Sequence, residues 1–408
     1  MQEFTSQFFD LILNLDSNWK VEKVIGDYRL KEVEIKITYI GNTAECPNTL
    51  SLFGIYDHAP ERKWRHLDLL DYKTHIVCSL PRVKNEQNKV VTILPPWASK
   101  NTRCTHQFEV KVIDTLQATQ NQTKTAGLLN CSFNQVNRIL HNSVERGLKR
   151  RPKDVVFRHL SIDEKSFKRN HKYVTVLSSP TSGLIIDICE DRTKKATKEL
   201  LNKVLSKGNK EKVETISVDM WKAYLTSIEE VLPNAKVVHD RFHLVKYLNE
   251  AIDKVRRREV KDHQELKNSR YALLKNTENL TEKQRIKFEC IRAANFQVSK
   301  AWVIRENFKD IFGSNTMKEA VNLFWKWGAN VLNTNINEMV KVAKMFNNHL
   351  KGVCNAMVEK FSNAMAERLN GKIQELKSRS KGYRTFKNFR RAILFFNGGL
   401  NLYPLNSQ

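Results

Sequence analysis

Residues 159–190 read HLSIDEKSFKRNHKYVTVLSSPTSGLIIDICE. Three runs within it, "HLSIDEKSF", "HKYVTVLSS" and "GLIIDICE", are rich in apolar and β-branched residues and are separated by short turn-forming stretches, which predicts three successive strands. Downstream the period changes. "TKKATKELLNKVLSK" spaces its apolar residues as an amphipathic helix, and "VETISVDM" reads as a fourth strand. "WKAYLTSIEEVL" is a second helix with Trp221, Leu225, Ile228 and Leu232 on one side, and "NAKVVHD" is a fifth strand. A meander followed by alternating helices and strands predicts an α/β fold, a mixed sheet with helices on its faces. Asp163, Asp219 and Asp240 each fall at or just after the C-terminal end of a predicted strand, which is where open α/β sheets place their sites. One Asp ending a strand is ordinary, because Asp favours turns. Three in one sheet repel one another and raise one another's pKa unless something positive sits among them. Carboxylate oxygens suit hard Mg²⁺ or Mn²⁺; zinc would favour Cys and His, which are not clustered here, so zinc is not expected.

The surrounding chain is strongly basic. Its 408 residues carry 69 Lys and Arg against 44 Asp and Glu, a formal net charge of +25, which predicts a polyanionic partner. A hydrophobic content of 41% is enough for a substantial core, so this is not a disordered basic tail. No apolar stretch approaches the ~18 residues of a membrane span, and the first twenty residues lack the basic start and apolar block of a signal peptide. The seven cysteines are scattered singly with no CxxC, as suits reduced thiols. A soluble cytoplasmic protein, associated with the nucleoid, is the expectation.

Texture divides the rest. Residues 30–100 show short β-like runs, among them "EVEIKITYI" and "KTHIVCSLPRV", ending in "LPPWAS", and predict a small β module. From 105 to 148 the spacing becomes helical, and "TKTAGLLNCSFNQVNRILHNSVERGL" reads as helix, tight turn, helix. Ser132 with Gln135 three residues later is a capping-box start for the second helix. Val136, Ile139, Leu140 and Leu148 form its inner face, leaving Asn134, Gln135, Asn137, Arg138 and His141 outward. Amides and Arg are the side chains that pair with base edges in a major groove, so the segment is either a DNA-reading helix-turn-helix or a helical hairpin packed in a core. The following "RGLKRRPK" supplies Arg146, Lys149, Arg150, Arg151 and Lys153 beside it, as phosphate contacts or as a solvated basic linker. Residues 245–355 are almost uniformly helical in pattern. Their Trp302, Trp325 and Trp327 read as core residues.

The motifs "SIDEKSF", "SVDMWKAY", "VVHDRFHLVKYLNEAID" and "NAMAERLNGKIQELKSRSKGYRTFKNFR", in that order, resemble the DDE transposases of bacterial insertion sequences, most closely the ISL-three family, over residues 45–400. The resemblance implies a ribonuclease H-like core with the first acid on the first strand, the second after the fourth strand, and a final Glu on a late helix beyond an all-helical insertion. On this chain those are Asp163, Asp219 and Glu367, with Asp240 and His243 matching an Asp-x-x-His element in a supporting role. The implied activity is Mg²⁺- or Mn²⁺-dependent DNA strand cleavage and strand transfer at the element's ends, by a homo-oligomer assembled on DNA. The implied layout is a β module (1–104), a helix-turn-helix (105–150), a catalytic core in two parts (151–244 and 356–408) and the helical insertion (245–355).

Around Glu367 the sequence places Phe361, Met365, Leu369, Ile373 and Leu376 on one helix face and Asn363, Glu367, Asn370 and Gln374 on the other. From Lys372 to Arg391 there are eight basic residues, Lys377, Arg379 and Arg384 among them, against Glu375 alone, interleaved with Tyr383, Phe386 and Phe389. That mixture reads as a DNA-backbone-tracking surface, or as a basic amphipathic helix that buries its aromatics. The chain departs from the family it resembles in the N-terminal module, where the resemblance would imply a zinc-binding ribbon. Cys46 is present in "ECPNTLSLFGIYDH", but Thr49 stands where the next cysteine would, and "KNEQNK" offers Asn85 and Asn88. One thiolate cannot build a tetrahedral zinc site, so this module is expected to fold without zinc or to be damaged. A catalytically inactive DNA-binding protein derived from a transposase is the alternative function, and a nuclease without transfer activity a third.

Overall fold

Three tryptophans meet edge to face in the N-terminal part of the chain: Trp97 lies 4.9 Å from Trp19 and 5.9 Å from Trp64, centroid to centroid. The computed structural model describes residues 2–404 apart from 153, 169–171, 276 and 360–363, so Lys153, Phe361 and Asn363 lie outside the described residues. Contacts divide the chain into two units, one of residues 1–151 with 378–382 and 400–408, the other of residues 152–377 with 383–399.

In the first unit a short helix α1 (Gln2–Ile12) precedes eight strands: β1 (Trp19–Asp27), β2 (Glu32–Tyr39), β3 (Thr43–Glu45), β4 (Leu52–His58), β5 (Arg62–Arg65), β6 (Lys73–Cys78), β7 (Pro81–Lys84) and β8 (Val90–Thr92). They form two four-stranded sheets in the orders β1-β2-β6-β5 and β3-β4-β7-β8. Strands thus occupy the stretch where short β-like runs were read, and α1 is an element the sequence reading did not anticipate. Period-2 alternation in β2 sends Val33, Ile35 and Ile37 into one core with the tryptophans, where Phe9 of α1 joins them. Helices α2 (His106–Thr119), α3 (Gln122–Leu128) and α4 (Phe133–Arg150) follow. Ser132 caps α4 by accepting from the Gln135 amide at 3.2 Å, as the sequence predicts. Val136, Ile139 and Leu140 are buried, while Asn134 and Arg138 are exposed and Gln135 and Asn137 half-buried.

The second unit is an α/β body. Strands β9 (His159–Lys168), β10 (Lys172–Ser179) and β11 (Leu184–Glu190) form the predicted meander. Helix α5 (Lys194–Val204), the short α6 (Lys207–Lys210), β12 (Thr215–Val218), α7 (Lys222–Val231) and β13 (Lys236–His239) complete one five-stranded sheet, ordered β11-β10-β9-β12-β13. The β10 ladders are antiparallel, whereas β12 runs parallel to both β9 and β13. Helices α5 and α7 cover an apolar layer from Leu160, Ile162, Ile216 and Val218. The residues from α8 to α14 are helical, as the pattern predicts: α8 (Arg241–Glu259), α9 (Arg270–Leu274), α10 (Glu282–Ala293), α11 (Gln297–Asp310), α12 (Met317–Asn333), α13 (Asn337–Asn348) and α14 (Leu350–Val358). Their shared core holds Phe308, Trp327 and Phe346, and Trp302 packs against it; Trp325 is instead exposed.

Two late helices close the sheet's other face, α15 (Ala364–Arg379) and α16 (Phe386–Asn397). Leu369, Ile373 and Leu376 of α15 and Phe389 of α16 pack with Phe167, Val174 and Ile185. The aromatics of the basic segment point inward: Phe389 is fully buried and stacks on Phe167 at 5.1 Å, with Tyr383 and Phe386 packed alongside. The amphipathic-helix reading thus describes them, because these rings join Leu369, Ile373, Leu376 and Ile393 in covering this face of the sheet. Asp187 of β11 is buried, and Arg390 of α16 grips both its oxygens at 2.6 and 2.8 Å while Lys203 pairs with it at 2.9 Å. Burial alone would raise this carboxyl, but the hydrogen bonds and charges of Arg390 and Lys203 outweigh it and hold its pKa below the ordinary value.

Arg390→Ala leaves a buried carboxylate short of its main partner and should cost about 3 kcal/mol, read by urea denaturation. A folded-state pKa below the unfolded one gives stability that is present above the unfolded value and lost as pH falls through the folded one. The gap between wild type and variant should therefore narrow below about pH 4.

Candidate active site

Register determines where the acids lie. Ile162 of β9 is paired with Val218 of β12, and Val218 with His239 of β13. The next residue on each strand is an aspartate, so Asp163, Asp219 and Asp240 stand side by side across three neighbouring parallel strands, ~4.8 Å apart at the backbone. Asp219 and Asp240 follow the last residues of their strands. Asp163 does not end its own, since β9 continues to Lys168 in its hairpin with β10; it sits where the parallel ladder to β12 stops. Each side chain is partly shielded, with 25%, 26% and 10% of Asp163, Asp219 and Asp240 exposed.

Local backbone geometry orients two of these carboxylates identically. Asp163 Oδ1 accepts from the Glu164 amide and Asp219 Oδ1 from the Met220 amide, both at 2.7 Å. Asp240 is the N-cap of α8, accepting from the Phe242 amide at 2.9 Å, and so fixes the helix's first turn. That turn carries His243, three residues on, over the row. Its Nδ1 is 3.4 Å from Asp219 Oδ2, and its Nε2 is 3.9 Å from both Asp163 Oδ1 and Asp240 Oδ2. One helical turn later the Tyr247 hydroxyl donates to the Asp219 carboxylate at 3.3 Å. Burial and the Asp219 charge push that phenol up to about 12.

From the other side, the Asn370 amide of α15 donates to Asp163 Oδ2. The sequence placed Asn370 with Glu367 on an outward stripe. Asn370 is instead buried, because at that turn the stripe meets the sheet's acidic edge. Glu367, one turn earlier on the same helix, is exposed, and no hydrogen bond or ion pair among the described residues joins it to Asp163 or Asp219. The structure thus gathers Asp163, Asp219, Asp240 and His243, adds Tyr247 and Asn370, and leaves Glu367 on the adjoining helix. Tyr247 stands four residues after His243 in "RFHLVKY", a spacing that puts both on one helix face and could have marked it.

Among the described residues no Lys or Arg lies within ion-pair distance of the three aspartates, and His243 is their one basic neighbour. Burial pushes the Asp163 carboxyl above its ordinary value and Asp240 adds repulsion, against the lowering effect of the Glu164 amide, His243 and Asn370. As the side chains stand, no group of three or more His, Cys, Asp and Glu among the described residues is disposed to hold a metal ion. The donor set is nonetheless chemically that of a hard divalent cation: carboxylate oxygens, shielded, in one row and without a cationic side chain to neutralise them.

Beneath the row, His239 is buried, dropped by burial to about 4, and its Nδ1 donates to the Val218 carbonyl at 3.1 Å, tying β13 to β12. Gly352 of α14 passes so close that a Cβ there would lie 2.6 Å from the imidazole.

The other predicted contacts are dispersed. In the first unit Arg150 donates to the Tyr403 carbonyl at 2.5 Å and to Asn401 at 3.3 Å, and Arg151 engages its own surroundings. Arg379 also has partners there. In the second unit Lys377 donates to the Ser166 carbonyl at 2.9 Å, while Arg384 is exposed. Cys46 is buried with Ala44, Val83 and Ile93, and amide hydrogen bonds from Asn48 and Thr49 lower its thiol pKa. Asn85 is occupied in accepting from the Gln87 and Lys89 amides of the β7–β8 turn.

A family model described as "Transposase", of the DDE ISL-three type, matches residues 160–393, more than half of the chain. The transposases for insertion sequence element IS1557 of two Mycobacterium tuberculosis strains, CDC 1551 / Oshkosh and H37Rv, are each 25% identical over 354 residues, covering 79% of both chains. The transposase for insertion sequence element IS1001 of Bordetella parapertussis is 26% identical over 239 residues, 57% of this chain and 59% of its own.

Gly352→Ala tests the packing under the row. In most helices this change stabilises by about 0.5–1 kcal/mol. Here the added methyl collides with His239, and the variant should lose about 1–3 kcal/mol in chemical denaturation.

Proposed function

Because the chain belongs to the ISL-three family of DDE transposases, we propose that it binds the ends of an insertion sequence and cleaves and joins DNA strands there, with Asp163, Asp219 and Glu367 as its acidic triad. The observation that carries this reading is the row of aspartates at equal register, shielded, without a Lys or Arg partner among the described residues and spanned by His243. The sheet order, with an antiparallel meander followed by two parallel strands, supports a ribonuclease H-like core. Glu367 is supported by its helix, whose Asn370 already touches Asp163 one turn away. No helix among the described residues is long and apolar enough to cross a membrane.

Asp163 and Asp219, with Glu367, would hold magnesium or manganese, which when bound supplies activation of the attacking oxygen and stabilisation of the leaving one. The chain's own groups prepare that site. The Glu164 and Met220 amides fix one oxygen of each aspartate, and Asn370 and Tyr247 donate to the same two carboxylates, so their lone pairs are aimed before DNA arrives. Asp240 anchors the helix that carries His243 and Tyr247 and acts through them. In cleavage a water oxygen bonds to phosphorus and the 3′ oxygen leaves as a hydroxyl. In joining, that hydroxyl attacks a target phosphodiester and a second 3′ oxygen leaves. One phosphodiester replaces another, so no covalent protein intermediate is needed. Helices α3 and α4 form the helix-turn-helix, reading bases through Asn134, Gln135, Asn137 and Arg138, with Arg150, Arg151, Lys377, Arg379 and Arg384 contacting phosphates.

The alternative, a transposase-derived protein that binds DNA without cutting it, is favoured by one observation: the Glu367 carboxyl is exposed and not joined to the aspartates. Incubation with Mg²⁺ and DNA carrying the inverted repeats that flank the gene separates the readings. Joined products support transposition, nicks alone a nuclease, and a shifted but uncut band the binding protein. Asp163→Asn should lose at least about 100-fold in cleavage rate while still shifting the DNA. Undiminished cleavage would overturn the assignment. Tyr247→Phe and Asn370→Ala, which remove donors to the carboxylates, should each slow cleavage by about 10- to 100-fold with unchanged DNA affinity.

A further inference from the structure

Trp221 breaks the pattern predicted for it. Its spacing with Leu225, Ile228 and Leu232 puts it on the buried side of α7, yet it stands at the helix's N-cap position with 43% of its surface exposed. It caps nothing there, since no side-chain hydrogen bond closes the first turn, and a Ser or Asp would stabilise the helix more. An open indole at a position that favours a small polar residue, two residues after Asp219, calls for a role outside the fold.

The ring is held rigidly. Its Nε1 donates to the Arg192 carbonyl at 3.1 Å, and the Arg192 guanidinium lies 4.5 Å from the ring centroid, covering one face. The same guanidinium lies 4.5 Å from the Tyr173 ring and pairs with Glu164, the residue after Asp163, at 2.9 Å. Two consequences follow. The indole is locked to both aspartates, through Glu164 and Arg192 to one and through two residues of backbone to the other. The cation behind the ring is neutralised by Glu164, so what this spot offers a ligand is an aromatic face more than a charge.

We propose that Trp221 is a stacking platform for one unpaired nucleobase of the DNA strand running past Asp163 and Asp219; this rests on the DNA-processing reading of that site. A π-face accepts any base, and a base still stacked in duplex cannot reach it, so the occupant is a base turned out of the helix beside the phosphate to be cut. Holding that base would position the phosphate over the carboxylate row, which makes Trp221 a positioning residue.

The test compares binding of intact protein to a 12-mer of oligothymidylate and to a 12-mer of abasic deoxyribose phosphate with the same charge, in metal-free buffer. Wild type should prefer the base-bearing strand by about tenfold. Trp221→Ala should bring the two affinities to within about twofold of each other, and Trp221→Phe should keep most of the preference, with affinity for the abasic strand unchanged in both. Phe lacks the indole N–H, so retention by Phe assigns the effect to the ring and not to the bond with Arg192. A wild-type protein with no preference, or an alanine variant that keeps it, overturns the proposal. The assay has no cleavage step, so its failure leaves the Asp163 test standing, and failure of that test leaves this result standing.

Discussion

Three neighbouring parallel strands held at one register bring the residue after the last paired position of each to a shared edge, even though β9 itself runs on to Lys168. In this chain that residue is aspartate three times. Placing three carboxylates side by side is unfavourable for folding, and among the described residues no Lys or Arg relieves it, despite a large surplus of both in the chain. The row is instead met by oriented neutral donors, three backbone amides, a phenol and a carboxamide, plus one imidazole spanning it. Neutral donors orient a carboxylate without consuming its charge, whereas Lys or Arg partners would cancel it.

The cationic surplus is itself divided. Arg390 and Lys203 are committed to a buried aspartate, and Arg150 and Lys377 to backbone carbonyls. Arg138 and Arg384 are exposed. The pairing with Asp187 is already counted in the net +25, and donation to a carbonyl leaves a cation's charge intact, so these side chains hold late helices in place without removing the positive surplus.

The sheet was legible because its strands are rich in β-branched residues and separated by turns, and Asp219 and Asp240 because each directly follows a strand; Asp163 instead lies within β9, where the ladder to β12 stops. Ser132 and Gln135 announced the start of α4 by spacing alone. Contacts between distant segments left no such trace. Asn370 meets Asp163 across 207 residues, and nothing in a helical wheel distinguishes a stripe facing water from one facing an acidic strand edge. Trp221 misled for a related reason: helical periodicity assumes the residue lies within the helix, and this one precedes it. The aromatics of the basic segment had two readings, decided by a bare sheet face that only the folded chain reveals. Short polar turns hid the fate of Cys46, whose neighbours are Val83 of β7 and Ile93 just after β8.

The long interval between Asp163 and its partner on α15 also orders events in time. At about 5–20 residues per second, a ribosome that has just made β9 needs roughly 10–40 seconds more to reach Asn370, and longer for α16 to cover the sheet. Throughout that interval the nascent chain already contains α3 and α4 but has an open β-face and an unfinished carboxylate row. Any product cut short by an early stop or a frameshift would keep the N-terminal strands and helices while lacking the groups that aim Asp163. The linear layout of the chain thus makes such shortened products lose the groups that complete the acidic row while they retain the N-terminal sheets, α3 and α4.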